Sequence, residues 1–223
     1  MTSPGLILSV DKPVGCTSFD VVQLIRRTLG WKAVGHAGTL DPSATGVLLV
    51  LCGDATRRTN EFMDLGKEYL ARIRFGFSTS TDDYEGEVLD TRPVSDWSIE
   101  RISEALARFV GRIEQIPPSV SAVKIGGRPS YKRSQTASLQ PLTARPVEIR
   151  EINLLHQHQP EITIQVRCSR GTYIRSLARD LGRQLGWGGT LAELRRTAIG
   201  PFRCERALRL QDILARQREF SQS

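Results

Sequence analysis

Asp41 is the residue of this chain best placed to do chemistry. Gly35, His36 and Gly38 precede it, Pro42 follows it, and Gly46 closes the segment. Glycine opens backbone dihedrals that are closed to other residues, and a proline steers the residue before it away from helical space. A turn built this way can present one carboxylate in a fixed direction, as a nucleophile or a general base requires. The same pattern also describes an Asp that merely forms a turn. Local spacing leaves both readings open.

The surrounding elements decide what such a turn is attached to. Residues 47–51 are an unbroken apolar run, which reads as a buried strand leaving the turn. Upstream, residues 6–10 read as a strand ending at Asp11, Lys12 and Pro13. A helix follows, capped by Ser18, with Val22, Ile25 and Leu29 inward and Gly30 at its end. Residues 54–63 are polar and read as helical. Tyr69, Ala71, Ile73 and Phe75 alternate with Leu70, Arg72 and Arg74, the period of a half-buried strand.

An acidic, turn-rich stretch at 78–86 comes next, then a short strand at 87–89. Ser98 opens a helix with Ile99, Ile102, Leu106 and Phe109 inward, closed by Gly111. Pro117 and Pro118 break the chain before residues 120–125, and Gly126 with Gly127 marks a hairpin turn. Residues 128–140 are basic and poor in core residues. Strands are expected at 147–155 and 161–168, then a helix from Thr172 burying Ile174, Leu177, Ala178, Leu181 and Leu185. Arg175, Arg179 and Arg183 make a cationic edge along that helix at i, i+4, i+8. A strand at 191–199 and a helix at 210–216 complete the chain. Strands that recur without regular helical crossovers predict an α+β fold with a mixed, largely antiparallel sheet flanked by helices.

Composition narrows the function classes. The 223 residues are 39% hydrophobic and 25% charged, with a formal charge of +7, which fits a globular protein with a polyanionic partner. Arginine dominates the later stretches, and its planar guanidinium suits phosphate and base contacts. The four cysteines and three histidines lie too far apart to suggest a disulfide framework or a zinc site. Cys52 and Cys168 read as buried thiols. No nucleotide-binding glycine motif is present, and no apolar run is long enough to span a membrane or serve as an export signal, so the expectation is a cytoplasmic protein.

Several motifs in order then carry a resemblance. They are Asp11, Lys12 and Pro13 with Gly15 and Ser18; residues 35–46; Lys67, Glu68 and Tyr69; Pro117 and Pro118 with Ser121, Ala122, Val123 and Lys124; residues 168–175; and Leu194, Arg195 and Arg196. Together these resemble the TruB family of tRNA pseudouridine synthases over most of the chain. Two positions depart from the pattern: Val120 stands where many relatives have Tyr, and Ala37 where many have Thr.

The resemblance implies conversion of the T-loop uridine at tRNA position 55 to pseudouridine, without a cofactor or metal. It places the essential carboxylate on Asp41, with Tyr69 stacked on the uracil and Arg175 paired with Asp41 to keep it charged. Tyr173 and Leu194 line the base pocket, and His36 fills the space left by the extruded base. Lys132 and Arg133, in a basic insertion at 126–140, contact the RNA stem-loop. The partner implied is tRNA, with no obligate protein partner and no membrane. The expected organisation is one catalytic domain over residues 1–223, without the separate C-terminal RNA-binding domain of the PUA type that most bacterial relatives carry. The competing reading is a non-catalytic tRNA-binding or folding module on the same basic surface.

Overall fold

The structure is a computed structural model that describes residues 5–119, 124–125, 128–129 and 143–220; for 124–125, 128–129 and 216–220 it describes the backbone alone. Lys132, Arg133, Ser121, Ala122, Val123 and most of the 126–140 insertion lie outside the described residues.

In chain order the elements are β1 (Leu6–Lys12), α1 (Ser18–Leu29), β2 (Val34–His36), β3 (Thr45–Cys52), α2 (Thr59–Asp64), β4 (Lys67–Phe75), β5 (Phe77–Thr79), β6 (Val88–Thr91), α3 (Ile99–Ala107) and β7 (Gly111–Gln115). They continue with β8 (Lys124–Ile125), β9 (Arg128–Pro129), β10 (Arg145–His158), β11 (Glu161–Cys168), α4 (Ile174–Leu185), β12 (Gly189–Ile199), β13 (Phe202–Arg203), β14 (Leu208–Arg209) and α5 (Leu210–Phe220). The chain forms two compact units, residues 1–69 with 194–223, and residues 70–193. It passes between them inside β4 and inside β12.

In the first unit β3 is the organising strand. It lies antiparallel to β1, from Leu6 opposite Cys52 to Lys12 opposite Gly46. It lies parallel to the end of β12, with Arg195 opposite Thr45 and Arg196 opposite Gly46. β2 joins it antiparallel, and β14 runs parallel to β1. One face of β3 sends Leu48, Val50 and Cys52 into a cluster with Val21, Val22 and Ile25 of α1 and Ile213 of α5. The other sends Val47, Leu49 and Leu51 against Ala55, Phe62 and Ile199. A strand covered on both faces has no solvent side, which is why its sequence is apolar without alternation.

In the second unit β7, β10 and β11 form an antiparallel run. Phe75, Trp97 and Trp187 make a small aromatic cluster, with Trp97 stacked on Trp187 at 5.5 Å and the Arg101 guanidinium 4.9 Å from the Trp187 ring centroid. β5 and β6 form a separate hairpin, and β8 and β9 pair antiparallel with Ile125 opposite Arg128. Parallel and antiparallel pairs in one sheet with flanking helices make this an α+β fold, as the strand pattern predicts.

Several local expectations are corrected. The N-cap of α1 is Thr17, not Ser18: Thr17 Oγ1 accepts from the Asp20 amide while the Asp20 carboxylate accepts from the Thr17 amide, a reciprocal capping box. Residues 53–58 are a 3-10 turn rather than the start of a helix, and α3 ends before Phe109. Helix α4 begins at Ile174, and Thr172 instead donates to the Ser169 carbonyl. The strand β7 begins at Gly111 itself, where the sequence suggests only a helix end.

Two glycines let α4 and the start of β12 approach closely. A Cβ on Gly182 would sit 2.2 Å from the Gly189 amide nitrogen, and one on Gly189 would sit 2.4 Å from the Ala178 carbonyl oxygen. Both obstacles are backbone, so neither can move aside cheaply. Gly182→Ala is expected to lower stability by about 2 kcal/mol or more through overpacking, read as a loss in chemical denaturation. Gly35→Ala, which meets nothing within 4 Å, serves as the control.

Candidate active site

Asp41 sits half-buried on the segment between β2 and β3. The segment turns because Gly38 and Gly46 adopt φ of 100° and 103°, and the Ala44 amide donates to the Asp41 carbonyl at 3.1 Å. Side chains from the rest of its unit then hold it at several points. The hydroxyl of Ser18, buried at the start of α1, accepts from the Leu40 amide at 2.8 Å and donates to the Leu40 carbonyl at 3.0 Å. The Gly15 amide donates to the Pro42 carbonyl at 2.9 Å.

Two fully buried cations complete the framework. Lys12 is 0% exposed and Arg196 is 1% exposed. The Lys12 ammonium donates to the carbonyls of Cys16 (2.7 Å), Pro13 (2.9 Å) and Pro42 (3.2 Å). The Arg196 guanidinium donates to the carbonyls of Val47 (2.7 Å), Gly38 (3.1 Å) and Thr39 (3.4 Å). Burial pushes the Lys12 ammonium below the ordinary lysine value; Cys16 and Asp41 pull it back up, and Arg196 pushes it further down. Asp41 and Arg196 thus both act electrostatically on the Lys12 ammonium.

His36 ends β2, opposite Val50 of β3, rather than lying in an irregular turn. Its Nδ1 is buried and accepts no hydrogen bond among the described residues. Burial first, and the Arg196 charge second, pull its pKa below 6.5. Both effects favour the neutral imidazole.

Tyr69 is buried as the third residue of β4. Its neighbours are pinned: Lys67 donates to the carbonyls of Met63 and Leu65, and Glu68 accepts from Thr197 at 2.9 Å and pairs with Arg203 at 3.3 Å. Leu194, half-buried on β12, lies in the same unit.

Tyr173 and Arg175 belong to the 70–193 unit. Buried Gln115 clasps the backbone of Tyr173 from both sides, accepting from its amide at 2.8 Å and donating to its carbonyl at 3.1 Å. Two residues on, Arg175 is buried, donates to the Thr81 carbonyl at 3.1 Å and pairs with Asp83 at 3.4 Å. Its neighbour Arg179 pairs with Asp82 at 2.7 Å and with Asp180 at 2.9 Å. Asp82 holds φ of 64°, a conformation that few residues other than glycine adopt. The expected cationic edge of α4 is thus corrected. Only Arg183, with a side chain 72% exposed, is solvated, while Arg175 and Arg179 turn inward because the acidic turn at 82–83 neutralises them.

The sequence motifs contain Lys12 and Arg196 without giving either a role, and nothing in the sequence singles out Asp83 or Gln115. No local signal marks them. Each gains partners from residues dozens of positions away.

Comparison with known proteins gives this arrangement a class. Residues 26–174 match the model of the TruB family pseudouridylate synthase N-terminal domain, and residues 175–222 match that of the tRNA pseudouridylate synthase B C-terminal domain. The fold is thus that of a pseudouridylate synthase. The chain is 45% identical to tRNA pseudouridine synthase B of Mycobacterium tuberculosis over 219 residues, covering 96% of this chain and 73% of that protein. It is 46% identical to the protein of the same name from Corynebacterium efficiens over 213 residues, covering 94% and 71%. Among solved structures, an archaeal box H/ACA sRNP Nop10-Cbf5 complex matches with a TM-score of 0.71 at 29% identity, and a Cbf5-Nop10-Gar1 complex with 0.73 at 32%. These matches cover 96% and 94% of this chain but only 54% and 53% of theirs, so it spans about half the length of those solved relatives. The chain belongs to the TruB family.

The state of His36 can be measured directly. Its imidazole is expected to titrate below 6.5 in the folded protein, followed by NMR of labelled histidine. Because the unfolded chain then binds more protons than the folded one between the lowered value and 6.5, stability rises with pH across that window and falls as the pH drops through it. A folded midpoint at or above 6.5 contradicts the burial of this side chain.

Proposed function

We propose that this protein isomerises the uridine at position 55 in the T-loop of tRNA to pseudouridine, with Asp41 as the essential residue. The observation that carries the reading is a carboxylate on a turn fixed from both sides by buried cations, in a member of this family. The names of the bacterial relatives add the substrate class.

The reaction breaks the N1–C1′ bond, rotates the uracil and joins C5 to C1′. The C5 proton is lost and N1 gains one, so no electrons are gained or lost overall. Asp41 acts as nucleophile at the sugar or the base, or as the base that removes a ribose proton; each version requires it ionised. In a site with little water a nearby guanidinium favours the charged carboxylate, the role that the family resemblance gives to Arg175. The family resemblance gives Tyr69 the stacking on the uracil, and Tyr173 and Leu194 the walls of the base pocket.

A uridine folded into a T-loop must be extruded before any of this, at a cost on the order of a few kcal/mol in lost stacking. His36 takes the vacated position. A neutral imidazole suits that role, because it can lie against base faces without carrying a desolvated charge into them.

RNA affinity comes from basic residues, Lys132 and Arg133 among them, and the protein acts in the cytoplasm without an obligate protein partner. Among the described residues no helix is long and apolar enough to cross a membrane.

Asp41→Asn is expected to abolish pseudouridine in a T-stem-loop transcript, read by carbodiimide mapping, while binding stays within about threefold because Asn keeps the shape of the side chain. Retained modification removes Asp41 from the chemistry. Wild-type protein that binds the transcript tightly and forms no pseudouridine would instead identify a binding module.

Neutralising Lys132 and Arg133 together is expected to weaken binding and to flatten its salt dependence, by roughly 0.7 in log–log slope for each phosphate left without its cation. An unchanged slope in a filter-binding titration takes both residues off the RNA surface.

A further inference from the structure

We infer that Arg196 is the positioning residue of Asp41: its buried guanidinium both locks the turn that carries the carboxylate and supplies the positive potential that keeps it ionised. The inference deepens the isomerase reading and rests on it for its kinetic consequences. Arg196 stands in an arginine-rich stretch whose composition suggests phosphate contacts, yet at 1% exposure it cannot reach an RNA backbone.

Its three hydrogen bonds bracket Asp41. Gly38 and Thr39 lie before the carboxylate and Val47 after it, so one planar group fastens both limbs of the turn. A fork of fixed geometry can do this; a lysine ammonium, with one nitrogen, cannot span the same carbonyls. The backbone is equally committed. A Cβ on Gly46 would lie 2.2 Å from the Arg196 carbonyl oxygen, so the turn closes directly against this strand residue. Gly46 is paired with Arg196 in the β3–β12 register, and that pairing delivers the side chain beneath the turn.

The electrostatic half follows from the acceptors. All three hydrogen bonds end on neutral carbonyls, so none of these contacts cancels the guanidinium charge and its field reaches the surrounding groups. Among the described residues, Lys12 on β1 feels Cys16 in the loop after it, Asp41, Arg196 and Asp20 on α1, and His36 on β2 feels Arg196. Lys12 and His36 are both pushed towards their neutral forms by Arg196. The same potential at a carboxylate has the opposite consequence and favours the ion.

The test compares R196K and R196M with wild type in two measurements. The first is the Asp41 carboxyl titration by carbon NMR, which needs no activity and so stands apart from the proposed reaction. In R196M the midpoint is expected to rise by about one pH unit, while R196K, which keeps the charge, leaves it close to wild type. The second is single-turnover pseudouridine formation at saturating transcript across pH. R196K is expected to lose roughly tenfold or more in rate with its acid limb in place, because the fork that fixes the turn is gone. R196M should lose more, with the acid limb moved towards neutrality, and transcript affinity should stay within about threefold of wild type in both.

An unmoved Asp41 midpoint in R196M overturns the electrostatic half. A wild-type rate in R196K overturns the positional half. If R196M is recovered unfolded, R196K decides the positional half, and Arg196→Gln in place of R196M decides the electrostatic half by the same titration. A protein that merely loses folded fraction scales the pH profile without shifting it, and that result also counts against the inference. Wild-type protein that forms no pseudouridine sinks the proposed function, while the Asp41 titration still judges Arg196.

Discussion

A buried cation must find acceptors, and two in the first unit find theirs in backbone carbonyls of the Asp41 turn and of the loop after β1. Lys12 and Arg196 between them bind the carbonyls of Pro13, Cys16, Gly38, Thr39, Pro42 and Val47. An unsatisfied buried charge is far more costly than an unsatisfied neutral group. The turn therefore cannot relax without stranding a charge. That constraint explains the strand register that brings Arg196 against Gly46, and the extension of β1 through Lys12. It also explains the contact of Gly15 with Pro42. The direction of Asp41 is set by a network in which Asp41 is only one member.

The second unit solves a related problem with carboxylates in place of carbonyls. Its acidic turn at 82–83 faces the inward arginines of α4, and Asp82 adopts a positive φ where the turn presents both acids. Burial raises the pKa of Asp82, opposed by Arg179. Gln115 then fixes the chain just before Arg175 by bonding to the Tyr173 backbone as a neighbouring strand would. In both units a functional candidate is held by groups that do no chemistry themselves, which is how a site keeps its geometry when substrate arrives.

The periodic elements are legible in the chain. Alternation at Tyr69, Ala71, Ile73 and Phe75 describes β4, and the apolar run after Gly46 describes β3, because burial dictates residue type at those positions. Capping is legible only to within a residue, since Thr17 and Ser18 are both competent caps. Ser18 is spent on Leu40, twenty-two residues away. The strands β2 and β7 leave no pattern to read, because each is short and owes its existence to a partner strand. The arginine stripe of α4 misleads for the same kind of reason. Charge spacing along a helix says which residues share a face, and leaves open whether acids from elsewhere in the chain cover that face.

By itself the sequence determined the class of fold, the family and the candidate carboxylate. These follow from patterns local to a few residues and from motifs kept in order along the chain. Only the tertiary structure decided which charges serve as scaffold. Arg175, Arg179, Arg196 and Lys12 look like surface cations in a basic protein, and all four turn inward. A side chain's exposure depends on what the rest of the chain packs against it, and the partners that accept hydrogen bonds from these four include residues far away in sequence.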